Sequence, residues 1–225
     1  MERFVFLGVL VFSIVAVIVG VFLMPGRPVG EMHLPWQVEI TPEGNSRVFG
    51  VEIGRSTLAE TSHIFKELPE VSLFEQKDGK RVVEAYFDNV DISGLRARVV
   101  LVMDLNAEQL AGMYQRGERL ANMGGGRHKV TLSAEDMHTL QQTRFSSLSY
   151  IPRHNLNDAL VKSRFGEPAE RIAESTGKVV HWLYPKKGLD VAINPDAKEV
   201  LQYVQPSHFE LLRRPLREAV ESAKP

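Results

Sequence analysis

Residues 57–103 read TLAETSHIFKELPEVSLFEQKDGKRVVEAYFDNVDISGLRARVVLVM, and the order of elements they specify decides the fold. Thr57 with Glu60 three residues on is a capping-box signature. Leu58, Thr61, Phe65 and Leu68 then share one helical face until Pro69 ends the run. Two strands, 71–76 and 80–87, flank Lys77-Asp78-Gly79, where Asp-Gly supports the positive φ of a hairpin turn. LRARVVLVM, 95–103, makes a third strand. Just upstream, WQVEI and RVFGVEI alternate apolar and polar residues across Pro-Glu-Gly-Asn, as a half-buried hairpin does between 36 and 53.

Ninety-eight residues on, the same order returns. Arg153 and Leu156 answer Arg55 and Leu58, and Asn155 with Asp158 answers the cap pair Thr57 and Glu60. Gly177-Lys178 answers Gly79-Lys80, each opening an apolar strand, and Gly188-Leu189 answers Gly94-Leu95 after a six-residue deletion. Matched caps and turns point to an internal repeat, although chance similarity of hairpin chemistry is the rival explanation. The expected fold class is therefore α+β: an N-terminal transmembrane helix followed by two helix-plus-antiparallel-sheet units, with a shared continuous sheet left open.

Between the units, 107–123 has helical spacing at Leu110, Met113, Tyr114, Gly117 and Leu120, with Gly124-Gly125-Gly126 as its stop. A strand at 129–132 and a helix capped by Ser133 and Asp136 complete the connection. A C-terminal helix is expected over 207–223, broken or kinked at Pro215, with Arg213, Arg214 and Arg217 as a solvated face. These boundaries divide the chain into an anchor (1–25), a linker (26–35), a first unit (36–105), a connection (106–150), a second unit (151–206) and a terminal helix (207–225).

FVFLGVLVFSIVAVIVGVFLM, residues 4–24, carries no charge. At about 1.5 Å per residue it spans roughly 30 Å of hydrocarbon. A cleaved signal peptide is the rival reading, but the apolar run is too long for one and no Ala-x-Ala site precedes Met24-Pro25-Gly26. Arg3 and Arg27 flank the run almost equally, so charge does not set its orientation.

Among the 225 residues, 27 Lys and Arg balance 28 Asp and Glu, a net charge of -1 that offers no footprint for nucleic acid. Cysteine is absent, which removes disulfides, thiolate metal sites and a Cys nucleophile. No G-x-S-x-G, H-E-x-x-H, G-x-x-x-x-G-K-[ST] or G-x-G-x-x-G occurs. The seven histidines form no close helical pair, and the three glycines at 124–126 close an element rather than open a helix over a phosphate. No enzyme activity, cofactor or metal is expected. Trp182 and Tyr184 share one strand face with Val180 and are the expected partner-binding residues, since aromatics dominate interface hot spots. The competing assignment for Trp182 is core. His181 lies on the opposite face with Val179 and Leu183.

Leu156, then Arg164-Phe165-Gly166-Glu167-Pro168, Trp182-Leu183-Tyr184 and Gly188-Leu189 together resemble the SmpA/OmlA, or BamE-like, family, over about fifty residues. That resemblance implies a small domain of two helices on a three-stranded antiparallel sheet, an accessory to outer-membrane protein assembly in the bacterial envelope. The chain departs from the family by lacking the lipid-bearing cysteine, by carrying an apolar span and by holding two units. Tandem copies also resemble the architecture of β-lactamase inhibitory protein, an analogy of fold alone.

The resulting expectation is a binding or scaffolding module on the inner membrane, single-pass, its body in the periplasm and its partner an envelope protein. Two alternatives stand beside it: a periplasmic hydrolase whose site assembles from distant Ser, His and Asp residues, and a structural subunit whose spanning helix, with Gly8 and Gly20, assembles in the bilayer.

Overall fold

The computed structural model describes residues 33–175 and 177–222. The expected anchor and most of the linker lie outside these residues. Among the described residues no helix is long and apolar enough to cross a membrane.

Three short strands, β1 (Glu39–Ile40), β2 (Ser46–Val48) and β3 (Val51–Glu52), open the fold as a small antiparallel sheet. Helix α1 (Leu58–Phe65) follows, capped as its sequence dictates: Thr57 accepts from the Glu60 amide and Glu60 reaches back to the Thr57 amide. Lys66, at φ 55, ends it before Leu68. Leu68 therefore projects into solvent at 86% exposure. The meander β4 (Glu70–Glu75), β5 (Arg81–Ile92) and β6 (Leu95–Met103) comes next. After α2 (Ala107–Gln115) run β7 (Arg119–Gly124), β8 (Arg127–Thr131), α3 (Ala134–Gln141) and β9 (Phe145–Pro152). Helix α4 (Asp158–Phe165) leads into β10 (Glu170–Ala173), β11 (Val180–Tyr184), β12 (Leu189–Ile193) and β13 (Val200–Val204), and α5 (Glu210–Ser222) closes the described chain.

Two helix-plus-sheet units are not what forms. Strands β4 to β13 make one ten-stranded antiparallel sheet, in the order β7-β8-β4-β5-β6-β9-β13-β12-β11-β10, with five helices upon it. The sequence 106–150, expected to be a connection, supplies the strand that makes the sheet continuous: β9 pairs with β6 on one side and β13 on the other. Helix-then-strands recurs within this sheet, but in another register. The cap is Asn157, accepting from the Leu160 amide, so Thr57 matches Asn157 and Phe65 matches Phe165. Asn155 instead bonds the Lys198 ammonium.

The helix expected over 107–123 stops at Gln115, and its second half becomes the β7–β8 hairpin. Gly117 shows why. A Cβ there would lie 2.2 Å from Val130 Cγ1, so the chain passes against β8 where a further helical turn has no room. Gly124, Gly125 and Gly126, all at positive φ, form the hairpin turn rather than a helix stop.

Alternate residues of the sheet point into one large core with α1 to α4. Phe49 occupies the middle of that face, stacked on Tyr150 (4.8 Å) and edge-on to Tyr203 (5.6 Å). The opposite face carries a second, smaller cluster, in which Ile172, Leu183 and Val204 meet Phe209 and the α5 residues Leu212, Leu216 and Val220. The α5 arginines are not simply solvated: Arg217 binds the Glu170 carboxylate through two nitrogens and Arg213 lies 3.8 Å from it. The helix runs through Pro215 without interruption.

Candidate functional site

Period-two alternation puts Val180, Trp182 and Tyr184 of β11 on the helix-covered face, and the neighbours they pair with are Ile193, Val191 and Leu189. Helix α4, which sends Val161 and Phe165 into the core on this face, begins at Asp158. What remains is a groove of about 780 Å³ with Val180, Trp182 and Ile193 among the residues that line it. Asn155, Leu156 and Asn157 approach from the start of α4, and Asn194 and Pro195 from the turn after β12. Pockets of this size and mixture are where ligands and partner segments usually sit.

Trp182 belongs to both assignments, lining the groove while being 5% exposed and packed in the core. The Arg171 guanidinium, directly opposite across β10, sits 4.2 Å from the indole centroid. It also bonds Glu167 at 3.0 Å, which fixes the planar cation over the ring. Tyr184 is not brought to the groove. It is 6% exposed, tilts against Phe165 at 6.0 Å and donates its hydroxyl to the Gly166 carbonyl at 2.9 Å. Burial pushes its phenol up to about 12.

The groove carries charge of both signs. Lys178 reaches Asp196 at 3.1 Å, and Glu199, 4% exposed, lines the wall with an Oε2 that has no hydrogen-bond partner among the described residues. Periodicity could find the Trp182 face. It could not find the rim, which comes from three loops far apart in sequence.

On the other face of β11, His181 is buried with its Nδ1 2.7 Å from Asp190 and its Nε2 3.3 Å from Glu174. Both ring nitrogens face carboxylates, which leaves neither to take a proton from a hydroxyl nucleophile. Burial weakens the imidazole's hold on a proton, but the two carboxylates outweigh it and raise its pKa. Among the described residues no set of three His, Cys, Asp or Glu side chains could hold a metal ion.

No protein-family model, no curated protein and no solved structure matches the chain.

Proposed function

We propose that this chain is a membrane-tethered, non-enzymatic binding module of the bacterial envelope, whose body holds an extended segment of a partner protein in the groove beside Trp182. The carrying observation is the groove itself: an apolar floor with a cation locked over its indole and a rim of amide side chains. An apolar side chain of the partner fits the floor, and Asn155, Asn157 and Asn194 offer donors and acceptors to its backbone. The tether rests on the uncharged run 4–24, and the periplasmic setting on the resemblance of the stretch from Leu156 to Leu189 to SmpA/OmlA proteins. The His181 imidazole, held between the Asp190 and Glu174 carboxylates, is engaged on both nitrogens and is not offered to the groove as a general base.

Selection of random peptides on the full-length protein in detergent tests this reading. Enriched peptides are expected to carry an apolar anchor residue and to lose affinity at least tenfold against Asn194→Arg, a rim change that leaves the core intact. Recovery of peptides indifferent to Asn194→Arg and to Lys178→Glu would overturn it.

A further inference from the structure

The sheet register puts one residue of the groove where the fold gives no reason for it. On the helix-covered face Val180 pairs with Ile193, and Pro152, Ala97 and Val90 continue the same row across β9, β6 and β5. The place between Ile193 and Pro152 falls one residue before β13, because Val200 pairs with Ala192 and Leu201 with Tyr150. That residue is Glu199. Leu201 and Tyr203, the next members of its alternation, are fully buried in the main core. Every other member of the row is apolar, so a carboxylate here does not serve the packing.

Glu199 is 4% exposed, and its Oε2 is shut off from water without a hydrogen-bond partner among the described residues, although the side chain lines the groove. A buried carboxylate without a partner costs free energy that an apolar residue at the same place would not. The cations around it are directed elsewhere. Arg171 is held by Glu167, Lys178 lies 3.1 Å from Asp196, and the Lys198 ammonium donates to the Arg153 carbonyl and to Asn155. Asp158, also in the lining, adds a second negative charge at the start of α4. The groove is therefore complementary to a positive charge brought from outside.

Its walls decide which kind of cation. A metal ion needs several ligands, and among the described residues no three His, Cys, Asp or Glu side chains come together for one. A small hydrated cation would leave Val180, Ile193 and Trp182 uncovered. A Lys or Arg side chain meets both demands, since its methylene stem lies along apolar surface while its charged end reaches a carboxylate.

We propose, on the reading that the groove is the binding site, that the segment it holds is basic: beside its apolar anchor it carries a Lys or Arg whose cation pairs with Glu199. The apolar floor retains the segment, and the buried carboxylate selects it.

The test takes those peptides, selected on the full-length protein in detergent, that lose affinity against Asn194→Arg. Each is expected to contain Lys or Arg, and its binding is measured by fluorescence anisotropy with that Lys changed to norleucine or that Arg to citrulline. The change weakens binding to the parent at least tenfold and to Glu199→Gln less than twofold, whereas acetylating the peptide's α-amine alters neither. Glu199→Gln alone unfolds in urea at a midpoint no lower than the parent's, because no partner is lost. Selected peptides without a cation, a replacement felt equally by the parent and by Glu199→Gln, or binding abolished by acetylation overturns the basic occupant and leaves the groove reading standing. A lower midpoint for Glu199→Gln does the same, since it would assign the carboxylate to the fold. Failure to recover any peptide sensitive to Asn194→Arg overturns both, whether the groove stays empty or is filled by residues 1–32 or a second copy.

Discussion

His181 shows how a single side chain couples this fold to pH. Its pKa is raised above the ordinary 6.5 because Asp190 and Glu174 outweigh the effect of burial. Burial meanwhile holds the Asp190 carboxyl above its usual range, with His181 pulling it back. A base whose pKa is higher in the folded chain than in the unfolded chain adds stability that is complete below the unfolded value, about 6.5. That contribution fades as pH rises through the folded value. The urea midpoint is therefore expected to fall between pH 6 and pH 9, and His181→Gln to flatten that fall; an identical slope in the variant would rule out His181 as its source. Other single residues explain where the sequence was not legible. Gly117 looks like one more step of a helical stripe, and only the approach of Val130 in space ends the helix there. Asn155 and Asn157 are both plausible caps by type, and the choice falls on Asn157 because Lys198, distant in sequence, takes Asn155.

Elements with strong local chemistry were readable: the α1 capping box, the Asp-Gly turn of β4–β5, and β6, whose observed bounds are those its sequence gives. Strand β9 was not readable. Ser146, Ser147 and Ser149 dilute its pattern, yet Phe145, Leu148, Tyr150 and Pro152 are buried, because a strand between two others needs only one apolar face to be held. Helix α5 was expected to break or kink at Pro215 and is not broken, because its docking holds it: Phe209, Leu212, Leu216 and Val220 lie on the sheet while Arg217 grips Glu170. Pro215 is on the exposed side, and its missing N–H leaves the carbonyl four residues earlier without its helical partner. Replacing it should strengthen the helix without touching the interface. Pro215→Ala is expected to raise unfolding free energy by about 1–3 kcal/mol, read as a higher denaturant midpoint at unchanged m-value. A lower midpoint would mean that the proline's fixed φ, rather than docking, sets the helix direction.

At the scale of the whole body, the continuous sheet makes a claim about cooperativity that two separate units would not. The seam between β9 and β13 pairs Tyr150 with Leu201 and Leu148 with Tyr203. Over it lies Phe49, held against both tyrosines, and the Tyr203 hydroxyl donates to the Pro35 carbonyl at 2.8 Å. Neither side of the sheet can unfold without exposing this seam and the rings packed on it, so the two sides should melt together. The chain allows a clean measurement, since it has no cysteine and its two tryptophans, Trp36 and Trp182, both lie near α4 or β11. A dye on Asn89→Cys, at the exposed bulge of β5, reports the other side. In urea titrations of the detergent-solubilised full chain, tryptophan and dye signals are expected to share one midpoint. Tyr150→Ala should lower both midpoints together, through an unfolding free energy about 3–5 kcal/mol smaller, the range for deleting a buried aromatic ring. Two midpoints, or a Tyr150→Ala effect confined to one probe, would show that the sheet is continuous in hydrogen bonding but divided in folding.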